Sequence, residues 1–148
     1  MPLTATALPA EQASSQANDR GLIHVKSTHS VPNTAEQLVH VLEAKGMTVF
    51  TRINHAAGAQ AVGQSLRPTE VVVFGNPKVG TPLMQCSPTA AIDLPQKALI
   101  WEDKQGQVWL SYNNPKYLAQ RHQIENCGEV LAKIEQALSK FAQAATQP

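Results

Sequence analysis

Two short apolar segments separated by a polar turn place the strongest constraint on how this chain folds. Residues 98–102 and 107–112 are rich in aliphatic and aromatic side chains. The connecting residues, Asp103-Lys104-Gln105-Gly106, form a polar turn that favours a β-hairpin. Because hairpin strands run antiparallel, the sheet that contains them is predicted to be antiparallel.

Three further segments have strand character. Residues 22–26 alternate apolar and polar side chains, as in a strand with one buried face. Residues 48–53 are β-branched and aromatic, which also favours a strand. Residues 70–74 form a continuous apolar run, which predicts a central strand buried on both faces.

Helical signals lie between and after these strands. Asn33 is predicted to cap a helix, with Glu36 completing a capping box and Gly46 ending the helix. The small-residue run 56–63 predicts a short helix or turn, and Asn114-Pro115 begins another helix. Residues 129–144 carry apolar side chains at helical spacing. This order predicts an α+β fold, an antiparallel sheet with helices packed on one face.

The segment 75–96 is predicted to be irregular. It contains four prolines, which argue against a long helix or a central strand and leave room for one helical turn near residues 81–85. Loops longer than ~15 residues in a compact domain are usually functional or disordered. Because the prolines favour stiffness, we interpret this loop as the rim of a binding site.

Composition limits the class of protein. The chain has 148 residues, 43% of them hydrophobic and 16% charged, which suits one folded domain over residues 21–148. A formal net charge of +1 without a dense basic run argues against a nucleic-acid binder. No apolar stretch approaches the ~20 residues that cross a bilayer. We therefore expect a soluble protein without membrane insertion.

Residues 1–20 differ from the rest of the chain. They are rich in Ala, Thr, Ser, Gln and Pro, and residues 4–10 resemble the end of a secretory signal peptide. The basic start and apolar stretch of such a signal are absent from the sequence. This segment is interpreted as a flexible leader, either the tail of an export signal or a simple extension. It favours a periplasmic or secreted location over a cytoplasmic one.

The two cysteines, Cys86 and Cys127, leave two interpretations open. They are too few and too far apart for a metal site, and no Cys-x-x-Cys motif is present. One interpretation is a pair of small, buried hydrophobic residues. The other is a single disulfide, which would stabilise the fold and indicate an oxidising compartment.

An ordered set of short motifs resembles the DUF302 family of uncharacterised proteins. The motifs are Ile53-Asn54-His55, Ala61, Gly63, Leu66-Arg67-Pro68-Thr69, Phe74-Gly75-Asn76-Pro77, Gly80-Thr81-Pro82-Leu83-Met84, Asp93-Leu94-Pro95, Ile100-Trp101-Glu102-Asp103, Tyr112-Asn113-Asn114-Pro115-Lys116-Tyr117-Leu118 and Arg121-His122. The resemblance covers residues 21–141. It implies a β-α-β(4)-α fold and a homodimer, and it implies no established activity. Neither cysteine belongs to the family pattern.

The leading functional hypothesis is a homodimeric, non-catalytic domain that binds a small ligand without a cofactor or metal ion. Walker A, dinucleotide-binding and Gly-x-Ser-x-Gly motifs are absent from the sequence. The candidate ligand-binding residues lie in or near the proline-rich segment or at the ends of predicted elements. They are His55, Phe74, Asn76, Met84, Asp93, Tyr112, Tyr117, Arg121 and His122.

Two alternatives remain open at this point. The first is an enzyme that uses His55 or His122 as acid and base, with Asp93 or Glu102 as the carboxylate partner, because an unperturbed imidazole titrates near pH ~6.5. The second is an interaction protein that acts through its dimer surface. The same side chains also have structural interpretations, such as packing, turn formation or helix capping.

Overall fold

The computed structural model describes residues 15–17 and 20–148, which contain six strands, five α-helices and one 3-10 helix. The strands are β1 Ser15–Ala17, β2 Leu22–Ser27, β3 Thr48–Asn54, β4 Thr69–Gly75, β5 Gln96–Glu102 and β6 Val108–Asn113. The helices are α1 Val31–Ala44, α2 His55–Ala61, α3 Pro77–Cys86, the 3-10 helix Pro88–Asp93, α4 Pro115–Arg121 and α5 Gly128–Thr146.

The six strands form one sheet in the order β1-β2-β6-β5-β4-β3. Every neighbouring pair is antiparallel, and β5 and β6 form the predicted hairpin, with Trp101 opposite Trp109. The predicted α+β fold with an antiparallel sheet is therefore confirmed.

Helices α1 and α5 pack against one face of the sheet and against each other. The core lies between them and includes Leu38 and Leu42 of α1, Val72 and Phe74 of β4, and Leu138 of α5. Each strand alternates its side chains between this core face and an opposite face, which we call the open face. On the open face the large apolar and aromatic side chains of β2, β4, β5 and β6 are half-buried.

The prediction for residues 70–74 is wrong in one respect. Strand β4 lies between β5 and the edge strand β3, and only its core-facing side chains are buried. Val71 and Val73 lie on the open face and are half-buried. A run of consecutive valines gives no indication of which face is covered, since the pattern lacks the polar positions that would mark a solvated face.

The prediction of an irregular segment over 75–96 is also wrong. Residues 77–86 form the ten-residue helix α3, with Pro77 at its first position and Pro82 inside it. Pro82 lacks the N–H that would donate to the Lys78 carbonyl, so α3 has one hydrogen bond fewer than a regular helix. Asn76 caps its N-terminus and Leu83 is 1% exposed, so capping and burial stabilise the helix despite the proline.

Helix α1 begins three residues earlier than predicted. Ser30, not Asn33, is its N-cap, and the Ser30 hydroxyl accepts a hydrogen bond from the Asn33 backbone N–H at 3.2 Å. Glu36 forms an ion pair with Arg52 of β3 at 2.7 Å. The predicted capping box is therefore absent at this helix end, since the Glu36 carboxylate serves a tertiary contact instead.

Strand β1 lies within the predicted N-terminal leader. It pairs with the edge of β2, with Gln16 opposite His24. The sequence carries no strand pattern here, and none is needed, because a three-residue strand can pair through its backbone alone. Residues 1–14, 18 and 19 of the predicted leader lie outside the described part of the chain.

Candidate functional site

An apolar cavity of about 300 Å³ lies between α3, the 3-10 helix, α5 and one end of the sheet. It is lined by Met47, Phe50, Phe74, Gly75, Asn76, Pro77, Val79, Gly80, Thr81, Met84, Ala91, Leu94, Pro95, Gln96, Ile134, Ala137, Leu138 and Phe141. No charged or titratable side chain is in this set. The cavity can therefore accommodate apolar groups without burying an ionised protein group.

The local sequence explains how the walls form. Phe74 projects from β4 into the core and meets Phe141 of α5 edge-on, with ring centroids 6.4 Å apart. A β-bulge between Val49 and Thr51 carries Phe50, which is 54% exposed at the mouth of the cavity. On the opposite side, Gly80 of α3 packs beside Leu94, and a Cβ atom at this position would lie 3.8 Å from Leu94 Cδ1, an ordinary contact distance.

Three polar side chains line the cavity, and they differ in their hydrogen bonding. The Asn76 carbonyl oxygen accepts from the Lys78 N–H at 2.9 Å, and its amide donates to the Gly46 carbonyl at 3.4 Å. Thr81 is exposed. Gln96 is only 8% exposed, and its amide makes no hydrogen bond to any part of the chain that the structure describes.

The structure divides the predicted ligand-binding residues into two groups. Phe74, Asn76 and Met84 line the cavity. The remaining six lie elsewhere and are His55, Asp93, Tyr112, Tyr117, Arg121 and His122. The sequence motifs thus lead to two separate places in the fold.

Three residues of the second group, and the predicted carboxylate partner Glu102, lie apart from one another. His55 is the exposed first residue of α2, after the N-cap Asn54. Tyr112 is a core residue of β6; its burial, with a smaller contribution from the negative charge of Glu135, raises its pKa. The Tyr117 ring lies against Gly21, and Glu102 ends β5, where its backbone N–H donates to the Pro68 carbonyl at 3.1 Å.

Asp93, Arg121 and His122 form one polar cluster. His122 Nε2 lies 2.5 Å from Asp93 Oδ2, and Arg121 donates to both Asp93 oxygens at 3.1 and 3.2 Å. The other imidazole nitrogen, His122 Nδ1, lies 2.9 Å from the Thr89 hydroxyl. The cluster joins the end of the 3-10 helix to the end of α4. It lies outside the cavity, but Asp93 directly precedes the lining residue Leu94.

A disulfide joins Cys86 at the end of α3 to Cys127 before α5. The structure thus favours the second interpretation of the cysteines. Beside it, the Ser87 hydroxyl donates to the His122 carbonyl at 3.1 Å. The disulfide and the polar cluster hold the α3 and 3-10 wall of the cavity against the segment that precedes α5.

A second concavity lies on the open face, between β2, β6, β5 and β4. His24 Nδ1 lies 2.6 Å from the Ser111 hydroxyl, which also accepts from Trp101 Nε1 at 2.9 Å. The rings of Trp101 and Trp109 stack with centroids 6.4 Å apart. Burial lowers the pKa of His24, so its neutral form is favoured here.

Comparison with known proteins identifies the family. The family model described as "Domain of unknown function DUF302" matches residues 23–141. The chain belongs to the DUF302 family. This confirms the resemblance seen in the ordered motifs.

Relatives of this DUF302 domain include longer proteins. The chain is 49% identical over 115 residues to the "Fluoride-specific ion channel FluC 1" proteins of Brucella suis biovar 1 (strain 1330) and Brucella abortus biovar 1 (strain 9-941). The match covers 78% of this chain but 45% and 43% of those relatives. The DUF302 chain therefore spans less than half the length of the curated relatives it matches.

A solved DUF302 structure shares the fold. The crystal structure of an uncharacterised conserved DUF302 protein from Bacillus stearothermophilus superposes with a TM-score of 0.76 at 18% sequence identity. The superposition covers 84% of this chain and 98% of that protein. At this identity the likeness establishes the fold alone.

Two searches of the described residues of this DUF302 domain gave negative results. In residues 15–17 and 20–148, no helix is both long and apolar enough to span a membrane. In the same residues, no three His, Cys, Asp or Glu side chains are grouped as metal ligands.

Sequence reasoning missed the part of the cavity wall that α5 supplies. Ile134, Ala137, Leu138 and Phe141 of α5 line it, yet they follow the apolar periodicity of an ordinary core helix. Gln96 offered a usable signal. It is a polar residue at the start of β5, in line with the apolar side chains that face the core.

Proposed function

We propose that this DUF302 domain is a binding module for a small apolar molecule, held in the cavity beneath α3. The observation that carries the proposal is a cavity of about 300 Å³ whose lining contains no charged side chain. This volume lies at the lower end of the range typical of ligand pockets, roughly 300–1,000 Å³. A ligand of roughly ten to fifteen non-hydrogen atoms would fill it.

The lining also supports binding rather than catalysis. Among the lining residues, Thr81 has the only hydroxyl group, and none carries an imidazole, carboxylate, amine or thiol. Nucleophilic and acid–base catalysis require such a group within hydrogen-bond reach of the substrate. Met47 and Met84 line the cavity as well, and their flexible, polarisable side chains suit a ligand of variable shape.

The size of the ligand limits the expected affinity. Drug-sized ligands gain about 0.3 kcal/mol per non-hydrogen atom and very small ones up to about 1.5 kcal/mol. A ligand with about twelve such atoms and an intermediate value of about 0.5 kcal/mol per atom gains about 6 kcal/mol, which corresponds to a Kd on the order of 10–100 µM. Binding should therefore be sought at micromolar to millimolar concentrations.

The test uses 4-phenyl-1-butanol as the probe, titrated into the ¹⁵N-labelled full chain and followed by amide chemical shifts. We expect the shifts to map to α3, β5 and the cavity side of α5. Ala137→Phe should weaken binding at least about tenfold, since its side chain would occupy the cavity. The matched control is Ala132→Phe, at an exposed position of the same helix, and it should bind like the wild type.

Two results would contradict this function. One is the absence of binding at millimolar concentrations. The other is an equal response of the Ala137→Phe and Ala132→Phe proteins, because the probe would then bind outside the cavity.

A second candidate function, an acid–base enzyme, is favoured by the contact between His122 and Asp93. Thr89, His122 and Asp93 place a hydroxyl, an imidazole and a carboxylate in series, as nucleophile-activating sites do. Arg121 shares the carboxylate, however, and the cluster lies outside the cavity. Hydrolysis of p-nitrophenyl acetate above the buffer rate, abolished in His122→Gln, would favour the enzyme; an unchanged rate in that variant would exclude it.

We also propose that the domain forms a homodimer through its open face. Half-buried apolar side chains on this face support the proposal, and they are Leu22, Val71, Val73, Leu99, Trp101 and Trp109. Two such sheets pack face to face at a distance of about 10 Å around a two-fold axis. In the described residues, α1 and α5 pack on the opposite side of the sheet from this face.

Sedimentation equilibrium tests the dimer. Protein concentrations of roughly 5–50 µM cover the range in which a dimer of micromolar affinity forms. Leu99→Glu should yield a monomer, because it buries a charge in the proposed interface. Ile92→Glu, at an apolar residue that is 73% exposed in the 3-10 helix, should leave the dimer intact. A monomeric wild type would contradict the proposal, and so would an equal loss of the dimer in both variants.

A further inference from the structure

Gln96 is a largely buried polar residue of the cavity lining, and its side chain makes no hydrogen bond to the described part of the chain. It is the first residue of β5 and lies opposite Phe74 of β4, so its side chain points to the core face. The residue is 8% exposed and lines the cavity. An apolar residue would be expected at such a position, since the neighbouring core positions of β5 are Ala98 and Ile100.

The Gln96 side chain lies on the core-facing side of β5 and lines the cavity. In the described residues, no fully enclosed side-chain nitrogen or oxygen lacks a hydrogen-bond partner. Gln96 makes no side-chain hydrogen bond, so its amide is not fully enclosed and accounts for the small accessible area of the residue. An amide with little access to water and no partner in the protein is poorly hydrated, so a bound group that accepts or donates a hydrogen bond there would gain a favourable contact.

The other polar groups of the lining cannot take this role. Asn76 uses its amide and its carbonyl within the chain, as the cap of α3 and as a donor to Gly46. Thr81 lies at the exposed edge of the cavity. Among the side chains of the lining, Gln96 is therefore the best placed to hydrogen-bond a ligand deep in the cavity, with one carbonyl acceptor and two N–H donors.

We propose that Gln96 selects a neutral ligand that carries an apolar body and one hydrogen-bonding group, such as a hydroxyl or a carbonyl. This inference rests on the proposed binding function of the cavity. A carboxylate or an ammonium group is disfavoured, because no side chain of opposite charge lines the cavity to compensate for its lost hydration. Gln96 is thus the specificity-determining residue of the site.

Three probes of matched shape test the selection. They are n-butylbenzene, 4-phenyl-1-butanol and 4-phenylbutyrate, which share a phenylalkyl body and end in a methyl, a hydroxyl and a carboxylate group. Their dissociation constants are measured by amide chemical shifts for the wild type, for Gln96→Leu and for the control Gln136→Leu. Gln136 is exposed on α5, so the control makes the same chemical change outside the cavity.

We expect Gln96→Leu to weaken the binding of 4-phenyl-1-butanol about tenfold, because the alcohol loses its partner in the cavity. The affinity for n-butylbenzene should change less than about twofold, and Gln136→Leu should change neither affinity. In the wild type, 4-phenylbutyrate should bind at least about tenfold more weakly than the alcohol. Near-UV circular dichroism verifies the fold of each variant, and Gln96→Met serves as a second apolar replacement.

The outcomes separate the two proposals. If no probe binds the wild type, both the binding function and the role of Gln96 are overturned. If n-butylbenzene binds and Gln96→Leu weakens the alcohol no more than the hydrocarbon, the cavity binds ligands but Gln96 does not select them. If 4-phenylbutyrate binds as tightly as the alcohol, the preference for a neutral ligand is overturned.

Discussion

His122 Nε2 and Asp93 Oδ2 lie 2.5 Å apart, although 29 residues separate them in the chain. The side chains of His122 and Asp93 are only 5% and 15% exposed. Their contact joins the 3-10 helix to the end of α4. It thereby holds in place the 3-10 helix and the residue after it, which supply Ala91 and Leu94 to the cavity wall. We therefore regard the pair as a positioning contact for the candidate site.

Asp93→Asn should lower the free energy of unfolding by about 1–2 kcal/mol, because the amide replaces a charged acceptor of hydrogen bonds from both Arg121 and His122. Urea denaturation followed by circular dichroism measures the change. Glu125→Gln, at an exposed residue of the α4–α5 connection, is the control and should stay within about 0.5 kcal/mol of the wild type. Equal stability of the two variants would contradict a positioning role.

Reduction of the Cys86–Cys127 disulfide should lower the free energy of unfolding by about 4 kcal/mol. The disulfide joins residues 41 apart in sequence, and this value follows from the loss of loop-closure entropy. Urea denaturation with and without a phosphine reductant measures it. The double variant Cys86→Ser and Cys127→Ser should be equally destabilised and should no longer respond to the reductant. The prediction would be contradicted if the wild type kept its free energy of unfolding after mass spectrometry had shown that the disulfide was reduced.

Gly21→Ala should destabilise the fold by about 2 kcal/mol or more. Gly21 has a φ of +81°, and a Cβ atom there would lie 2.3 Å from Cγ of Tyr117. The backbone conformation alone costs a non-glycine residue about 1–2 kcal/mol, and the Tyr117 ring must also move. Gly63→Ala is the control, because Gly63 has a φ of +74° and nothing within 4 Å of an added Cβ.

The difference between the two glycine variants isolates the contact with Tyr117. We expect Gly63→Ala to lose only the backbone contribution, about 1 kcal/mol, in thermal and urea denaturation. Equal stability of Gly21→Ala and Gly63→Ala would contradict this prediction. It would mean that the Tyr117 ring moves without a free-energy cost and that its packing on Gly21 does not stabilise the fold.

The stability of the protein should depend on pH through His24. Burial lowers its pKa below the ordinary value of 6.5, so the unfolded chain binds a proton more readily than the folded one. Stability from this group is fully present above pH ~6.5 and is lost as the pH falls toward the lowered value.

Urea denaturation between pH ~5 and ~8 measures this dependence. His24→Gln should flatten the slope below pH ~6.5, whereas the control His40→Gln, at an exposed residue of α1, should retain it. A slope that survives in His24→Gln would assign the effect to other groups.

Part of the candidate site could be predicted from the sequence. Phe74, Asn76 and Met84 line the cavity and lie in the proline-rich segment that was interpreted as a binding rim. The predicted irregular loop is in fact a helix, because the Asn76 cap and the burial of Leu83 stabilise α3 around Pro82. The part of the wall that α5 supplies had no distinguishing signal. Apolar residues that line a cavity recur at the same helical spacing as apolar residues packed in a filled core.

The sequence by itself determined the features that short-range physics controls. The β5–β6 hairpin, the Asn114 cap with Pro115 and the apolar stripe of α5 each depend on residues a few positions apart. Only the tertiary structure decided the Cys86–Cys127 pairing, the contact of His122 with Asp93 and the cavity that Gln96 lines. These depend on how distant segments pack against one another, and no local pattern of side chains encodes the space left between them.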